Sequence, residues 1–373
     1  MGGNEASCSY VWSSKAVDNW ILKLKFFQND KFIASSSDGS ILGYSLNNLA
    51  QTPLINFDKA HESSVNDMTV INENLIASCS TDGIKIWDVR SNKSTPQILL
   101  GNSKNSNFLS LASKNDLLAG GTELQGVDAE VHIWDIRNTE KIVKSFVDSH
   151  HDDVTCLEFH PTLNYLMSGS TDGYVNIYDL SKVDEEDALH QVINFGSVHS
   201  CHFITESRIS ILTHIETLMF HDLNDTNYEN LESPKFEDLG DLRIKWPLND
   251  YVIDLNPSGF VAYGSNTNNS VSILPFNPVK EKFKESRIIH LQNAHNDEVV
   301  RDVIVKTNTT QCLSCGEDGK IKLWELPHVL KSYSFGEQID EPVLVTSPTS
   351  EKKKTSKHKK EHKKIKDQRF KPY

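Results

Sequence analysis

Short stretches of alternating apolar and polar residues recur along the chain, and tight-turn residues precede them. In residues 78–90, SCSTDGIKIWDVR, two serines precede Asp-Gly, and an alternating β-branched segment then leads to Trp-Asp. Alternation of this kind predicts a half-buried β-strand, and Asp-Gly supplies the positive φ that a tight hairpin needs. The local pattern therefore predicts a β-hairpin.

This pattern returns at regular intervals. The hairpin strands end near one aromatic or apolar residue per copy, at Tyr44, Trp87, Trp134, Tyr178, Phe220, Leu274 and Trp324. The gaps between these positions are 43, 47, 44, 42, 54 and 50 residues. A further alternating strand lies upstream in several copies, as in VTCLEFHP from Val154. A period of roughly 40–50 residues with several short strands per period is typical of a repeat array.

The Trp-Asp pairs at residues 87–88 and 134–135 resemble those of WD repeats, whose four-stranded units form the blades of β-propellers. Seven copies imply an all-β fold, a seven-bladed WD-repeat β-propeller over residues 8–330. The alternating segment at residues 8–13, CSYVWS, is expected to close the last blade as its outer strand. Residues 331–350 are expected to form a linker, and residues 351–373 a disordered basic tail.

The resemblance also implies a buried hydrogen-bonded chain of His, Ser, Asp and Trp within a blade. The matching residues are His61, Ser78, Asp82 and Trp87 in blade 2, His150, Ser168, Asp172 and Tyr178 in blade 4, and His295, Ser314, Asp318 and Trp324 in blade 7. A His–Asp–Ser trio also invites a catalytic interpretation. Its recurrence in several repeats favours a structural network, because a catalytic triad needs one exposed Ser beside an oxyanion hole.

The chain contains no sequence motif for a nucleotide, metal or hydrolase site, so we expect neither an enzyme nor a cofactor. No apolar run is long enough for a membrane helix, and the N-terminus lacks a signal-peptide pattern. Six scattered cysteines fit a reducing compartment. We interpret the C-x-x-C at Cys312 and Cys315 as small residues of a buried strand, because no second ligand pair lies near in sequence.

Residues at the entries of the inner strands are candidates for contact with a protein partner. They are Trp20, Asp67, Asp153, Trp246, Tyr251 and Arg301. Aromatic and arginine side chains are favoured anchors of interfaces, although large aromatic residues more often belong to a core.

Charge is distributed unevenly along the 373 residues. The net charge is −13, but residues 351–373 hold eleven Lys and Arg against three Asp and Glu, which leaves −21 for residues 1–350. Acidic residues concentrate at 184–187, DEED, and at 222–241. These two segments are either solvated loops or a docking site for a basic protein.

The Lys-rich tail is typical of a nuclear or nucleolar address. The candidate address residues are Lys352, Lys353, Lys354, Lys357, Lys359, Lys360, Lys363 and Lys364. Phe370 and Tyr373 are the aromatic residues of the tail, so we expect weak, salt-sensitive nucleic-acid contact at most. A small propeller with a basic end in RFKPY resembles the WD repeat-containing protein 89 group, and that resemblance implies a nuclear protein.

The first functional hypothesis is a monomeric, non-catalytic nuclear scaffold whose acidic propeller binds a basic protein such as a histone or ribosomal protein. The alternative is a substrate receptor of a cullin-type ubiquitin ligase. It rests on Arg90 and Arg137, whose W-D-x-R context resembles the adaptor-binding box of some propellers. Ordinary pairing of each Arg with a neighbouring carboxylate is the competing interpretation. A hydrolase would need a pocket that holds a cluster of acids with shifted pKa values.

Overall fold

The structure, a computed structural model, describes residues 4–14, 16, 18–91, 94–224 and 234–336. In these residues the chain forms seven antiparallel sheets, and helical turns are confined to Glu185–Ala188, Leu242–Lys245 and Glu285–Arg287. The predicted all-β, seven-bladed propeller is confirmed. The predicted tail, with its eight candidate lysines, lies outside the described residues.

Strands within a blade follow one another from the centre outwards in sequence order. Blade 1 contains β2 (Ile21–Phe27), β3 (Lys31–Ser36), β4 (Ile41–Ser45) and β5 (Ile55–Phe57), and blade 2 contains β6 (Asp67–Val70), β7 (Leu75–Ser80), β8 (Gly83–Asp88) and β9 (Ile98–Leu100). Blade 3 contains β10 (Phe108–Lys114), β11 (Leu117–Thr122), β12 (Ala129–Asp135) and β13 (Asn138–His150), and blade 4 contains β14 (Val154–Phe159), β15 (Tyr165–Ser170), β16 (Tyr174–Asp179) and β17 (Leu189–Asn194).

The last three blades follow the same plan with two variations. Blade 5 contains β18 (Val198–Thr205), β19 (Arg208–Thr213), β20 (Thr217–Asp222) and β21 (Phe236–Asp241). Blade 6 contains β22 (Tyr251–Asn256), β23 (Phe260–Ser265) and β24 (Ser270–Asn277), and both β25 (Lys282–Phe283) and β26 (Ile289–Gln292) pair with β24. Blade 7 contains β27 (Val300–Val305), β28 (Gln311–Gly316) and β29 (Lys320–Glu325), and its outer strand is β1 (Ser7–Ser13).

The ring closes because β1 pairs antiparallel with β29, from Ser7 opposite Glu325 to Ser13 opposite Lys320. Blade 7 is thereby built from both ends of the propeller. The first strands of successive blades contact one another in a closed cycle, so they surround the centre.

Side-chain bonds join neighbouring inner strands to each other. These are the Leu111 N–H to Asp67, the Ser110 hydroxyl to the Val154 carbonyl, the Thr155 hydroxyl to the Val198 carbonyl, and the Leu24 N–H to Asp302.

The core lies between the blades and is filled from the third strands. The residues that marked the period in the sequence, Tyr44, Trp87, Trp134, Tyr178, Phe220, Leu274 and Trp324, are all buried on the third strand of a blade. One such ring packs between two blades: Phe146 of β13 stacks on Tyr178 of β16 with ring centroids 3.9 Å apart. A strand-like alternation thus places one large side chain per blade in the layer between sheets.

Two faces follow from the antiparallel order of the strands. We call upper face the side formed by the connections into the inner strands and by the turns between second and third strands. The lower face holds the turns between first and second strands and the connections to the fourth strands.

After β29 the chain packs along the lower face. The Tyr333 N–H donates to the Ser258 carbonyl, and the Phe335 ring lies 5.1 Å from the His160 ring. Residues 331–336 of the predicted linker therefore contact the turns of blades 6 and 4.

Candidate protein-interaction site

Blade 2 contains a continuous chain of buried hydrogen bonds. His61 Nδ1 lies 2.5 Å from an Asp82 carboxylate oxygen, and His61 Nε2 lies 2.7 Å from Ser78 Oγ. The Trp87 indole N–H donates to the same Ser78 oxygen over 2.8 Å. Because the Asp82 carboxylate only accepts, the imidazole donates from Nδ1 and accepts the Ser78 hydroxyl at Nε2.

Blades 4 and 7 repeat this arrangement. His150 and His295 each bond an Asp and a Ser, at 2.9 Å to Asp172, 2.7 Å to Ser168, 2.6 Å to Asp318 and 2.8 Å to Ser314. The Trp324 N–H donates to Ser314 over 3.0 Å, and in blade 4 the Tyr178 hydroxyl lies 3.3 Å from Ser168. Blade 2 makes its turn with two residues between β7 and β8, whereas blades 4 and 7 use three.

Burial and hydrogen bonding act against each other on the carboxyl groups of these chains. Burial alone would raise the pKa of Asp82, Asp172 and Asp318, but bonds from the imidazoles and other donors hold all three below the ordinary value. Burial lowers the pKa of His61 despite its Asp82 partner. In blade 2 the pair is thus a neutral imidazole beside an ionised carboxylate.

The Ser hydroxyls of these chains cannot reach a substrate. Ser78, Ser168 and Ser314 are each 0% exposed, and each hydroxyl lies within hydrogen-bond distance of its imidazole and of the aromatic residue of its blade. A nucleophile needs access to solvent and an oxyanion site beside it. These residues instead satisfy buried polar groups that tie the incoming connection to its blade.

A second donor in each of these blades went unnoticed in the sequence. Lys85, Asn176 and Lys322 lie two residues before the aromatic residue of the third strand. Each donates to a backbone carbonyl of the segment that leads into the inner strand: Ala60 and Asn293 in connections, and Ser149 at the end of β13. The equal spacing to the aromatic residue was the signal that could have identified them.

Blade 3 has a different buried network. Glu130 accepts from Asn102 at 2.9 Å and lies 2.8 Å from His132 Nε2, and Lys104 forms a 2.7 Å ion pair with it. His132 Nδ1 lies 2.8 Å from Ser145 Oγ on the fourth strand. The sequence pattern missed this network because none of its members matches the expected position.

Of the six candidate rim residues, two form an accessible pair on the upper face. Trp20 is 41% exposed, and the Arg301 guanidinium lies 5.6 Å above its ring. Arg301 is exposed and also pairs with Glu317. A cation over an indole keeps a large apolar surface oriented towards solvent.

The polar candidates face inwards, towards neighbouring blades. Asp153 accepts from the Leu124 N–H over 2.8 Å, and Tyr251 accepts from the Val300 N–H over 2.8 Å. Together with Asp67, which bonds blade 3, they join blades to one another.

Trp246 does not belong to a contact surface, contrary to the prediction. It is 1% exposed, and its ring packs 5.5 Å from Tyr263 and 5.0 Å from Phe283. The short helix Leu242–Lys245 turns the connection inwards immediately before it, so the indole enters the core between blades 5 and 6.

The two faces differ in charge. Among the described residues, the connections and turns of the lower face hold ten acidic and eight basic residues. Those of the upper face hold only four Lys and Arg. The acidic residues of the upper face number sixteen: Asp18, Asp38, Asp58, Glu62, Asp82, Glu123, Asp128, Asp152, Asp153, Asp172, Glu216, Asp250, Asp297, Glu298, Glu317 and Asp318.

The two acidic segments noted in the sequence have different structural surroundings. In DEED, Glu185 accepts from the backbone N–H groups of Val147 and Asp148, so it holds the outer strand of blade 3. In residues 222–241 the last six form β21, and residues 225–233 lie outside the described part of the chain.

Arg90 and Arg137 lie on the lower face, in adjacent blades. Their side chains are 67% and 69% exposed, yet the two guanidinium groups bond back to Asp88 and Asp135. These bonds hold the pKa of both carboxyl groups at about 2. A partner that binds either Arg has to compete with this bidentate pairing.

Charged side chains from three neighbouring inner strands meet where these strands lie side by side. His202 Nδ1 lies 2.7 Å from Glu158, and His202 Nε2 lies 3.1 Å from Asp254. Burial alone would lower the pKa of His202, but the two carboxylates raise it well above its ordinary value. The imidazolium therefore links blades 4, 5 and 6.

Two surface clefts lie away from these networks. One of about 410 Å³ lies beside blade 1 and includes Asp38 and Asp58 in its lining; another of about 380 Å³ includes Lys114, Asp116 and Arg137. Among the described residues, no group of three or more His, Cys, Asp and Glu side chains is arranged to hold a metal ion.

No helix in the described part of the chain is both long and apolar enough to span a membrane.

Comparison with known proteins agrees with this geometry. The family profile of the WD domain, G-beta repeat, matches residues 140–179 and 286–325. Each match runs from the outer strand of one blade to the third strand of the next, in blade 4 and in blade 7. An uncharacterized WD repeat-containing protein of Saccharomyces cerevisiae is 42% identical over 99% of this chain and 100% of its own length. The chain therefore belongs to the WD-repeat family.

Other relatives cover most of the chain at lower identity. An uncharacterized WD repeat-containing protein of Schizosaccharomyces pombe is 28% identical over 80% of this chain and 92% of its own length. A WD repeat-containing protein 89 homolog of Dictyostelium discoideum is 27% identical over 73% of this chain and 74% of its own length. The resemblance to the WD repeat-containing protein 89 group is thus supported, and a propeller of this family indicates a protein-interaction scaffold.

Proposed function

We propose that this protein is a non-catalytic nuclear scaffold whose acidic propeller binds a basic protein segment at its upper face. The observation that carries the proposal is the difference in charge between the two faces. The connections and turns of the upper face hold sixteen acidic residues against four basic ones, and Arg301 on β27 adds a fifth basic residue. This excess of negative charge attracts a Lys- or Arg-rich partner towards the upper face over a distance of about one Debye length, roughly 8–10 Å at physiological salt.

The Trp20–Arg301 pair supports the same face as the site of contact. Complementary charge sets orientation and association rate, while affinity depends on desolvated anchors, among which Trp ranks high. The exposed Trp20 ring offers such an anchor on the face whose connections also contain Asp18, Asp297 and Glu298. The lower face is more balanced in charge, and residues 331–336 occupy part of it.

The partner is defined by its chemistry as an exposed Lys- or Arg-rich segment that carries an apolar residue. Segments of histones and ribosomal proteins have this character, and both classes are found in the nucleus. Salt must weaken the complex, because the acidic face contributes through long-range attraction.

Binding of purified core histones and purified ribosomal proteins to the full-length chain tests the proposal. We expect Asp297→Lys with Glu298→Lys, on the upper face, to weaken binding by about tenfold at low salt. The matched control is Glu186→Lys with Asp187→Lys, two exposed acids of the lower face. Equal effects of the two pairs, or binding that salt does not weaken, would contradict the proposal.

The nuclear part of the proposal depends on the Lys-rich tail. We expect the full-length chain to accumulate in the nucleus and a variant with Lys352, Lys353 and Lys354 changed to Gln, together with the five lysines that follow, to lose that accumulation. Fluorescence microscopy of tagged chains measures it. Unchanged distribution of the variant would remove the tail as the address.

A second candidate function, a substrate receptor of a cullin-type ubiquitin ligase, is favoured by the exposure of Arg90 and Arg137 on one face of adjacent blades. Under this proposal an adaptor displaces Asp88 and Asp135 from the two guanidinium groups. Arg90→Ala with Arg137→Ala should abolish co-purification with the adaptor. Adaptor association that survives both changes would eliminate this function.

A further inference from the structure

Two cysteines from different blades lie together at the junction of blades 4 and 5. Cys156 is on β14 and Cys201 is on β18, and their sulfur atoms are 3.1 Å apart. Cys156 is half-buried, whereas Cys201 is buried. Neither residue takes part in the blade networks or the faces described above.

The surrounding backbone is built to accommodate both sulfur atoms. A Cβ atom at Gly169, on β15, would lie 2.6 Å from the Cys156 sulfur and 3.2 Å from the Cys201 sulfur. The Thr155 hydroxyl donates to the Val198 carbonyl over 2.7 Å, which fixes the two inner strands side by side. The space that a side chain would fill at residue 169 is therefore occupied by the two thiols and by a Val198 methyl group, which lies 2.7 Å from the same point.

The electrostatic surroundings make the two thiols different. The hydrogen bond with Cys201 is the largest influence on Cys156, and with the His202 charge it lowers the pKa of Cys156 although burial opposes the shift. The same bond and burial raise the pKa of Cys201 well above its ordinary value. Burial raises the pKa of Cys79, Cys312 and Cys315, so Cys156 is the thiol that ionises most readily among these.

We propose that Cys156 and Cys201 form a redox-sensitive dithiol, which hydrogen peroxide converts reversibly into a disulfide that links the inner strands of blades 4 and 5. The Cys156 thiolate attacks one peroxide oxygen, the O–O bond breaks, and the leaving hydroxide takes a proton to become water. Cys156 is then a sulfenic acid. The Cys201 sulfur attacks the Cys156 sulfur, the S–O bond breaks, and hydroxide leaves with the Cys201 proton as a second water.

The balance is two thiols and one peroxide giving one disulfide and two waters, with two electrons passing from sulfur to oxygen. A thiol reductant reverses it by exchange through a mixed disulfide. The sulfur atoms must approach by about 1 Å to reach the disulfide length of roughly 2.05 Å. This short movement favours closure over further oxidation of Cys156.

Peptide mapping of the native full-length protein after hydrogen peroxide treatment tests the proposal. We expect a linked peptide pair that contains Cys156 and Cys201, has lost two hydrogens and is restored to two thiols by reductant. Cys8, which is exposed, serves as the internal indicator that the oxidant acted. Oxidation of Cys8 without the Cys156–Cys201 link would overturn the proposal, as would irreversible oxidation of Cys156.

Variants assign the order of the two steps. With Cys201→Ser we expect Cys156 to remain as a sulfenic acid that a 1,3-dione reagent traps, and with Cys156→Ser we expect at least a tenfold loss of that labelling. Cys312→Ser with Cys315→Ser is the matched control, because these thiols are buried in different clusters, and it should leave the link intact. Labelling of Cys201 in preference to Cys156 would contradict the assigned order.

Discussion

Blade 7 and blade 3 each contain a buried imidazole, but the two histidines belong to different parts of their blades. In blade 7, His295 comes from the connection before the inner strand and bonds Asp318 in a turn. In blade 3 the connection supplies Asn102, and the imidazole of His132 comes from the third strand beside Glu130. The comparison teaches that a blade requires satisfied polar groups between connection and sheet, and that several residue sets meet the requirement.

The largest effect is expected in blade 7, where both ends of the propeller meet. His295→Ala leaves Ser314 and Asp318 without their imidazole partner and opens a cavity, so we expect a loss of about 3 kcal/mol in the free energy of unfolding. The urea midpoint measures it. A loss well below 1 kcal/mol would show that the hydrogen-bonded chain contributes little in this blade.

Blade 3 offers the direct comparison. Glu130→Ala leaves His132 and Asn102 with an unmatched bond each, and we expect the free energy of unfolding to fall by about 2 kcal/mol. The same urea midpoint measures the change. Glu123→Ala, in the adjoining turn of this blade, is the control for loss of a carboxylate. If Glu130→Ala has no larger effect than this control, the blade 3 network is not equivalent to that of blade 7.

The pH dependence of stability is expected to differ between His61 of blade 2 and His202 of the inner strands. The folded pKa of His61 lies below its unfolded value of about 6.5, so its stabilisation is present above that pH and is lost as the pH falls through the folded value. The pKa of Asp82 is also lowered, and its stabilisation is lost on acidification below about pH 4. The folded pKa of His202 lies well above 6.5, so its stabilisation is lost as the pH rises through the folded value.

Two variants make this contrast measurable. The difference in urea midpoint between the wild type and His61→Gln should shrink as the pH falls, and that between the wild type and His202→Gln should shrink as the pH rises. Slopes of the same sign for both variants would contradict the assignment of one neutral and one charged imidazole.

The smallest effect is expected at the exposed Asp-x-Arg turns. Arg90→Ala removes a bidentate bond to Asp88 at the surface, where solvent screens the pair, and we expect no resolvable change in the urea midpoint. Because Arg208 pairs with Asp222 and Glu281 in a partly buried position, Arg208→Ala provides the contrasting case. A change for Arg90→Ala as large as that for Arg208→Ala would show that exposure does not separate these pairs.

Sequence reasoning identified the parts of the molecule that depend on local pattern. The alternation, the Asp-Gly turns and the period in residues 78–90 and their relatives sufficed for the blades. The resemblance to WD repeats added the three His networks, in each of which the Asp follows the Ser by four residues. The blade 3 network was missed because Glu130 and Asn102 match no expected position, although His132 lies two residues before its aromatic residue, as Lys85 does in blade 2. The candidate contact residues at the inner-strand entries differ in exposure, which the sequence could not predict. The pattern places Trp20 and Trp246 at similar connections, and only packing turns Trp246 inwards.

The chain by itself determined the number of blades, the residue that each blade buries, and the acidic character of the propeller. The period of the strands decides the number of blades and the buried residue of each, and the composition of residues 1–350 decides the acidic character. Tertiary structure alone decided which distant groups meet. Cys312 and Cys315 are close in sequence, but they are three residues apart on one strand, so they point to opposite sides of the sheet. Cys156 and Cys201 touch because inner strands about one repeat apart lie side by side in the ring.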